Sequence, residues 1–163
     1  MAVVYLGIGS NLGDRKANIE RALQLLTEPK DITVTAVSNL IETDPVGGPP
    51  QGKFLNAAAR VETDLLPLEL LARLKNIERR LGRQKAVPDS PRPIDLDILF
   101  YDDVVIAAGK NLTIPHPKLS EREFVLRPLA EIAPDLIHPR LKRTAAQLLE
   151  SLVHEIHPEP SRA

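Results

Sequence analysis

The clearest alternation of apolar and polar residues runs through "RPIDLDILFYDD", residues 92–103. Successive side chains of an extended chain point to opposite faces, so its two acids, Asp95 and Asp97, share one face. The apolar residues of the other face are Ile94, Leu96, Ile98 and Phe100. The pattern predicts a half-buried strand that carries two carboxylates, with Asp102 and Asp103 in the turn that follows it.

Three further apolar runs, rich in β-branched residues, predict strands at residues 2–9, 31–43 and 53–63. Asp14 can cap a helix that runs to about Leu26, and Pro67 suits the first turn of a helix that runs to about Leu81. Stretches 44–52 and 83–93 are rich in residues that break regular structure and predict loops. The segment "DDVVI" can return as a hairpin partner of the strand at 94–101.

The order of these six elements, β-α-β-β-α-β, predicts an α+β fold with a ferredoxin-like core and an antiparallel sheet. The remaining third of the chain predicts an extra C-terminal edge strand and two helices. No linker, repeat or low-complexity segment interrupts the sequence, so we expect one domain over residues 1–163. The tail from about residue 156 is expected to be frayed.

Composition narrows the classes of function. The formal net charge is −1 and the pI is near 6.4, which excludes a chain that binds polyanions over its whole surface. There is no cysteine, which excludes disulfides and thiolate metal sites and is compatible with the reducing cytoplasm, where we expect the protein. The chain begins without the features of a signal peptide, and no apolar run approaches the roughly 20 residues of a membrane helix. We therefore expect no nucleic-acid or membrane partner.

Two carboxylates on one strand face can hold a hard cation such as Mg²⁺, with water and substrate phosphates as its other ligands. The D-x-D pattern alone favours a simpler interpretation, a solvated strand face. The neighbouring Arg83, Lys85 and Arg92, and the later Arg122, favour a site for a metal and a nucleotide, because arginine forks pair with phosphate oxygens. Arg92 stands between two prolines at the start of the strand, a position that a solvated helix end does not explain.

Three other features have two interpretations each. "GIGSNLGD" departs from G-x-G-x-x-G and lacks the Lys-Ser/Thr of a Walker A motif, so it favours a turn with a helix cap over a phosphate loop. A lone histidine such as His116 is more often a packing or surface residue than a catalyst. Phe54 and Phe124 can clamp a flat heterocycle between them, or can both belong to the core.

Four stretches together carry a resemblance to a known family: "GIGSNLGDR", "FLNAAARVET", "RPIDLDILFY" and "IPHPKLSEREFVLRPLAEIAPDLIHP". From about residue 2 to about residue 140 the chain resembles the 6-hydroxymethyl-7,8-dihydropterin pyrophosphokinases of the folate pathway. The resemblance implies a ferredoxin-like fold and transfer of diphosphate from ATP, the co-substrate, to the hydroxymethyl group of the pterin, with release of AMP.

The resemblance also implies roles for particular residues. It implies two Mg²⁺ ions at Asp95 and Asp97, and it implies that Asp97 or a water molecule accepts the proton of the pterin hydroxyl. The implied catalytic residues are Arg83, Arg92 and Asp97. The implied contacts to ATP are Arg83, Lys85, Arg92, Ile98, Thr113, His116 and Arg122. The implied pterin pocket contains Thr43, Pro45, Val46, Phe54, Asn56, Asp95 and Phe124. The protein is expected to be a monomer, and the role of Glu78, which matches a family glutamate, stays open.

The sequence departs from the family pattern in three places. Pro117 follows His116 where some relatives have a tyrosine, and the chain has no tryptophan for the loop before the D-x-D strand. That loop is one residue shorter than in those relatives, which leaves the match of Lys85 to a family arginine open.

Two other functions fit the same element order. An RNA-recognition module needs aromatic residues on its central strands, and here the strands at 2–9 and 54–63 offer only Tyr5 and Phe54. A small-molecule sensor with this fold would not need two acids beside arginines. Both alternatives are therefore less favoured than the enzyme.

Overall fold

The protein's structure is a computed structural model that describes residues 1–45, 50–83, 91–108 and 112–156. The strands are β1 (Ala2–Ser10), β2 (Ile32–Val37), β3 (Ile41–Thr43), β4 (Phe54–Thr63), β5 (Asp95–Tyr101), β6 (Ile106–Ala108) and β7 (Leu112–Ile114). The helices are α1 (Arg15–Thr27), α2 (Pro67–Arg80), α3 (Glu123–Ile132) and α4 (Ala145–Ile156), and a short 3-10 helix spans Leu119–Glu121. None of the described helices combines the length and apolar character needed to cross a membrane.

The main sheet has five strands. Four of them lie in the order β2-β4-β1-β5, and the fifth, β3, pairs with the first residues of β4, ahead of the residues that pair with β2. All of its strand pairs are antiparallel. The elements β1-α1-β2-β4-α2-β5 form the predicted ferredoxin-like core, and β3 is an insertion before β4. The predicted fold class is confirmed.

Helices α1 and α2 cover one face of this sheet. They bury Ile19, Leu26, Leu70 and Leu74 against apolar residues of the central strands. The residues Ile94, Leu96 and Ile98 lie in the same cluster, as the alternating pattern predicts. Both helices thus bury the faces that their helical periodicity marks as apolar.

Helices α3 and α4 cover part of the opposite face and form a second apolar cluster there with Leu99 and Phe100. The prediction that Phe100 shares a face with Ile98 is wrong. Ile98 pairs with Leu6 and Phe100 pairs with Tyr5, so Leu99 is an extra residue in β5. A bulge of this kind reverses the alternation of side chains, and it turns Phe100 toward α3 and α4.

The strand predicted over residues 31–43 is two strands. Ser38 interrupts the ladder: its hydroxyl accepts a hydrogen bond from the backbone N–H of Ala58 at 2.9 Å. The backbone N–H and the side-chain amide of the next residue, Asn39, both donate to the carboxylate of Glu131 on α3. These bonds take up backbone groups that a continuous strand would use for its ladder.

The C-terminal third also differs in one detail from the prediction. Its strand β7 pairs with β6 in a separate two-stranded sheet instead of joining the edge of the main sheet. The segment "DDVVI" therefore leads into β6, whose partner is β7 rather than β5. Asp102 and Asp103 form the predicted turn, and Asp102 has the positive φ of 48° that such turns require. Residues 157–163, where fraying is expected, lie outside the described residues.

The start of α1 provides a test of the predicted cap. Asp14 accepts a hydrogen bond from the backbone N–H of Ala17 at 3.1 Å. We expect Asp14→Ala to lower the free energy of unfolding by about 1 kcal/mol. The backbone N–H of Ala17, in the first turn of the helix, would lose the side-chain oxygen that accepts its hydrogen bond. Urea denaturation measures this change. Asp14→Asn is the control, since asparagine caps helices about as well, and equal losses in both variants would contradict a capping role.

Candidate active site

A cleft of about 800 Å³ opens on the sheet face that α3 and α4 leave uncovered. It has contributions from β1, β3, β4, β5 and the start of α3. The predicted site residues that line it are Thr43, Pro45, Phe54, Asn56, Arg92, Asp95, Asp97, His116, Arg122 and Phe124. The cleft thus brings together residues that are up to 81 positions apart in the sequence.

Two glycines form the floor of the cleft. On β1, Gly7 pairs with Asp97 of β5, and Gly9 pairs with Asp95 on one side and with Asn56 of β4 on the other. A Cβ at Gly9 would lie 3.0 Å from the side-chain oxygen of Asn56. The strand between the acids and Asn56 therefore carries no side chain into the cleft, and this keeps the floor open.

The two acids of β5 both face the cleft, as the alternating pattern predicts, while Leu96 between them is buried on the other side. Asp95 is compensated by two arginines. Arg83 Nη1 lies 2.7 Å from its Oδ1, and Arg92 Nε lies 3.5 Å from its Oδ2. In the absence of ligands, the predicted phosphate-binding arginines therefore pair with one of the predicted metal ligands.

Glu78 on α2 supports this arrangement from beneath. Its side chain is only 4% exposed, and its Oε2 accepts hydrogen bonds from Arg83 at 2.9 Å and from the backbone N–H of Leu96 at 2.8 Å. Lys75 bonds its other oxygen. Because β5 is at the edge of the sheet, this buried carboxylate provides the acceptor that a further strand would otherwise supply. Glu78 thus holds both the D-x-D backbone and Arg83.

Asp97 has the most perturbed electrostatics in the cleft. Desolvation, and then the negative charge of Asp95, raise the pKa of its carboxyl to about 7, and Lys75 and Arg122 only partly oppose this. Negative charge at this point is therefore incompletely compensated in the protein alone. A cation would offset it.

The donor set can be tested against a metal ion. No group of three or more His, Cys, Asp or Glu side chains suited to a metal occurs within residues 1–45, 50–83, 91–108 and 112–156. Two carboxylates and open space remain, which suits Mg²⁺, because this ion usually keeps water and takes substrate phosphates as its other ligands. Asp95 and Asp97 therefore fit Mg²⁺ that binds together with a phosphate ligand.

Two aromatic rings line the cleft, and a guanidinium lies over each. Arg92 Cζ is 5.1 Å from the ring centroid of Phe54, and Arg122 Cζ is 5.6 Å from that of Phe124. Cation–π contacts of this length orient the guanidinium over the ring. Neither ring belongs to the buried clusters, so the interpretation of both as core residues is wrong.

Polar groups complete the same end of the cleft. Asn56 is buried, and its Nδ2 donates to the hydroxyl of Thr43 at 2.6 Å. Asn56 Oδ1 faces Gly9. A flat heterocycle that enters between the two phenylalanines would thus meet an amide at its edge.

His116 lines the opposite part of the cleft. Its backbone N–H donates to Leu99 O at 3.0 Å, which holds the histidine against the bulge of β5. Desolvation, and then the positive charge of Arg122, lower the pKa of its imidazole. A neutral imidazole beside a guanidinium can still donate one hydrogen bond to a phosphate oxygen.

The sequence pattern did not reveal the role of Asn11. The turn and cap predicted for "GIGSNLGD" are confirmed by Asp14, but Asn11 in addition joins two loops. Its Nδ2 donates to Gln51 and to Gly52 O, and its Oδ1 accepts from the backbone N–H of Arg92. Only the folded chain brings these partners together, so no local pattern could have identified them.

Some predicted site residues lie elsewhere. Arg83 reaches Asp95 but does not line the cleft, and the Ile98 side chain is buried in the first apolar cluster. Thr113 is in β7, paired with Ala107, and is not a lining residue. Val46 and Lys85 lie outside the described residues.

Comparison with known proteins gives a consistent result. The model of the family described as 7,8-dihydro-6-hydroxymethylpterin-pyrophosphokinase (HPPK) matches residues 5–134. A 2-amino-4-hydroxy-6-hydroxymethyldihydropteridine pyrophosphokinase of Aquifex aeolicus is 45% identical over 139 residues, which are 85% of each chain. The protein of the same name in Bacillus subtilis is 46% identical over 80% of this chain and 77% of its own.

Other relatives are longer proteins. The folic acid synthesis protein fol1 of Schizosaccharomyces pombe is 43% identical over 92% of this chain, which spans only 20% of its length. Among solved structures, an HPPK-DHPS in complex with substrates aligns with a TM-score of 0.75 at 17% identity, over 97% of this chain and 44% of its own. At that identity the alignment supports the fold alone.

Removing Glu78 tests the support beneath the cleft. We expect Glu78→Ala to lower the free energy of unfolding by about 3 kcal/mol, because it leaves the backbone N–H of Leu96 without its acceptor and removes one of the two carboxylates that bond the partly buried Arg83. Glu78→Gln retains an acceptor oxygen for Leu96, so its loss is expected to be smaller, about 1 kcal/mol. Urea denaturation is the measurement, with the exposed Glu20→Ala as control. A loss in Glu78→Ala no larger than that of the control would show that the carboxylate is not needed.

Proposed function

Because the chain belongs to the 7,8-dihydro-6-hydroxymethylpterin-pyrophosphokinase family, we propose that its cleft transfers diphosphate from ATP to the hydroxymethyl group of 6-hydroxymethyl-7,8-dihydropterin. The products are AMP and the pterin diphosphate, an intermediate of folate biosynthesis. Family membership confirms the resemblance drawn from the four sequence stretches. The alternative of an RNA-recognition module also fails on burial, since Tyr5 is only 8% exposed.

The pterin occupies the end of the cleft with the two aromatic rings. Phe54 and Phe124 stack on its faces, and Asn56 and Thr43 bond its polar edge. The main chain at Pro45 and Val46 completes the pocket, although Val46 lies outside the described residues. The support for this orientation is that both phenylalanines line the cleft together with the buried amide of Asn56.

The triphosphate binds at the arginines of the cleft, two of which, Arg92 and Arg122, contact the aromatic rings. Arg83 and Arg92 exchange the carboxylate of Asp95 for phosphate oxygens, and Arg122 and His116 bind further oxygens. Arginine forks suit this exchange, because they bind carboxylate and phosphate in similar geometry. Ile98 and Thr113 remain proposed ATP contacts outside the cleft lining, and Lys85 is another that the described residues do not include.

Asp95 and Asp97 would hold two Mg²⁺ ions. When bound, these ions supply charge neutralisation at the triphosphate and lower the pKa of the pterin hydroxyl. The observation that carries the proposal is the pairing of these two acids with Gly9 and Gly7, which leaves their carboxylates facing the open cleft that the aromatic rings and the arginines also line.

The protein's own residues act mainly by positioning. The hydroxymethyl oxygen forms a bond to the β-phosphorus of ATP, and the bond from that phosphorus to the α–β bridging oxygen breaks, so AMP leaves with the bridging oxygen. The hydroxyl proton passes to water, because a carboxylate that holds a cation is a weak base. Arg83 and Arg92 stabilise the charge that develops on the transferred group, and stacking holds the nucleophile in line.

We also propose that the enzyme is a cytoplasmic monomer. The cysteine-free sequence is compatible with a reducing compartment. Analytical ultracentrifugation of the active protein tests the oligomeric state, and a stable dimer under assay conditions would contradict it.

Replacing Asp97 tests the proposed function directly. We expect Asp97→Asn to fold and to lose at least about a hundredfold in the rate of Mg²⁺-dependent AMP release, because a ligand contributes more than its supporting partners do. The measurement is coupled detection of AMP with ATP and the pterin as substrates. Asp103→Asn, in the exposed turn after β5, is the control. A rate of AMP release within threefold of wild type for Asp97→Asn would contradict the proposed metal site.

Adding a methyl group at Gly9 tests the pterin end of the cleft. Its Cβ would lie 3.0 Å from Asn56 Oδ1, so the Asn56 side chain must move by a few tenths of an ångström, whereas the 3.5 Å to a ring carbon of Phe54 is an ordinary contact. We expect Gly9→Ala to weaken pterin binding about tenfold, a change of roughly 1.4 kcal/mol, with little change in the affinity for a non-hydrolysable ATP analogue. Calorimetric titration gives both constants.

The control for this variant is Gly52→Ala, whose Cβ would meet only Asn11 O at an ordinary 3.6 Å. Both variants replace glycine by alanine, so both reduce the conformational entropy of the unfolded chain by a similar amount. Equal losses of pterin and nucleotide affinity in Gly9→Ala would place the pterin elsewhere.

A further inference from the structure

We propose that Arg15, at the start of α1 and outside the cleft lining, is a positioning residue for the pterin end of the site. It holds together the two ends of the segment 44–53, which connects β3 to β4. This inference rests on the proposed function, because it concerns the pocket assigned to the pterin.

The guanidinium of Arg15 bonds both strand β3 and the residue that directly precedes strand β4. Its Nη2 donates to Oε2 of Glu42 in β3 at 2.8 Å, and its Nη1 donates to the backbone oxygen of Lys53 at 3.0 Å. Glu42 directly precedes Thr43, and Lys53 directly precedes Phe54. The second bond holds the backbone directly and the first holds it through the Glu42 side chain, in each case one residue before a residue of the cleft.

The two fixed points also face each other across the sheet. Thr43 pairs with Phe54, and the Thr43 hydroxyl accepts a hydrogen bond from Asn56 at 2.6 Å. A change in the distance between Glu42 and Lys53 would thus alter the position of Thr43 relative to Phe54 and Asn56. Arg15 controls that distance from a helix whose first turn is itself fixed by the Asp14 cap.

The arrangement adds little to global stability. The Arg15 side chain is 31% exposed and that of Glu42 is 49% exposed, and ion pairs in such positions contribute little to folding. The hydrogen bond from Arg15 nevertheless lowers the pKa of the Glu42 carboxyl. Lysine can replace Arg15 only in part, because one ammonium group lacks the fork that reaches both acceptors. The role of Arg15 is therefore to set local geometry.

The experiment compares Arg15→Ala, Arg15→Lys and Glu42→Ala with the wild-type chain. We expect Arg15→Ala to weaken binding of 6-hydroxymethyl-7,8-dihydropterin about five- to tenfold, the range for the net contribution of one ordinary hydrogen bond, with unchanged affinity for a non-hydrolysable ATP analogue. Arg15→Lys is expected to be intermediate. The effects of Arg15→Ala and Glu42→Ala are expected not to add in the double variant, since both remove the same bond.

The matched control is Arg73→Ala. Two nitrogens of the Arg73 guanidinium donate to the carboxylate of Asp31 at 2.8 and 2.7 Å, and Arg73 is also partly exposed. Its partner Asp31 is not a residue that lines the cleft. We expect it to lower stability by the same small amount as Arg15→Ala while pterin affinity stays unchanged. Equal losses of pterin affinity in the two variants would overturn the proposal, and so would an unchanged affinity in Arg15→Ala.

A second measurement separates this proposal from the proposed function. Amide hydrogen exchange in the ligand-free protein is expected to be faster at Thr43 and Phe54 in Arg15→Ala than in Arg73→Ala. If the wild-type protein binds no pterin and releases no AMP, the proposed function fails, while faster exchange would still support the positioning role. Unchanged exchange at both residues would overturn the positioning role whatever the wild-type activity.

Discussion

The antiparallel pairing of β5 with β1 is the constraint on which the rest of the structure depends. It sets Asp95 and Asp97 opposite Gly9 and Gly7, so the two acids of the edge strand face a floor without side chains. The same register turns Leu96 and Ile98 into the core beneath α1 and α2. A shift by one residue would bury both acids and expose the apolar face, so the core and the cleft specify the register together.

Charge compensation is the second constraint. The edge of β5 holds two acids next to the buried Glu78, and three negative groups this close would destabilise the fold without cations. Arg83 bonds both Glu78 and Asp95, and Arg92 approaches Asp95 from the loop before the strand. The two arginines proposed to bind phosphate thus lie close to the place where the phosphates are proposed to lie. In that proposal, little reorganisation is needed when the nucleotide replaces the carboxylate as their partner.

The two helices of the C-terminal third determine how much of the sheet stays open. They pack on the bulged end of β5 and leave the glycine floor uncovered, and the first residues of α3 bring Phe124 to the rim of the cleft. The opposite rim comes from β3 and the start of β4. Its position depends on contacts from outside the cleft, from Asn11, from Arg15 and from the pair of bonds between Asn39 and Glu131. The site is therefore a sheet surface whose walls are anchored by residues that do not line it.

The sequence by itself determined the element order, both core helices, the capping role of Asp14 and the shared face of Asp95 and Asp97, because periodicity and capping are local properties of the chain. It also determined the family, since the four motifs occur together in the right order. Three things were decided only by the tertiary structure: the bulge at Leu99 that turned Phe100 to the other face, the break at Ser38 that divided one predicted strand into two, and the separate pairing of β7 with β6. The functions of Gly9, Glu78, Asn11 and Arg15 belong to the same class. Each depends on a partner from a distant part of the chain, and packing against that partner, unlike a local propensity, leaves no pattern in the neighbouring residues.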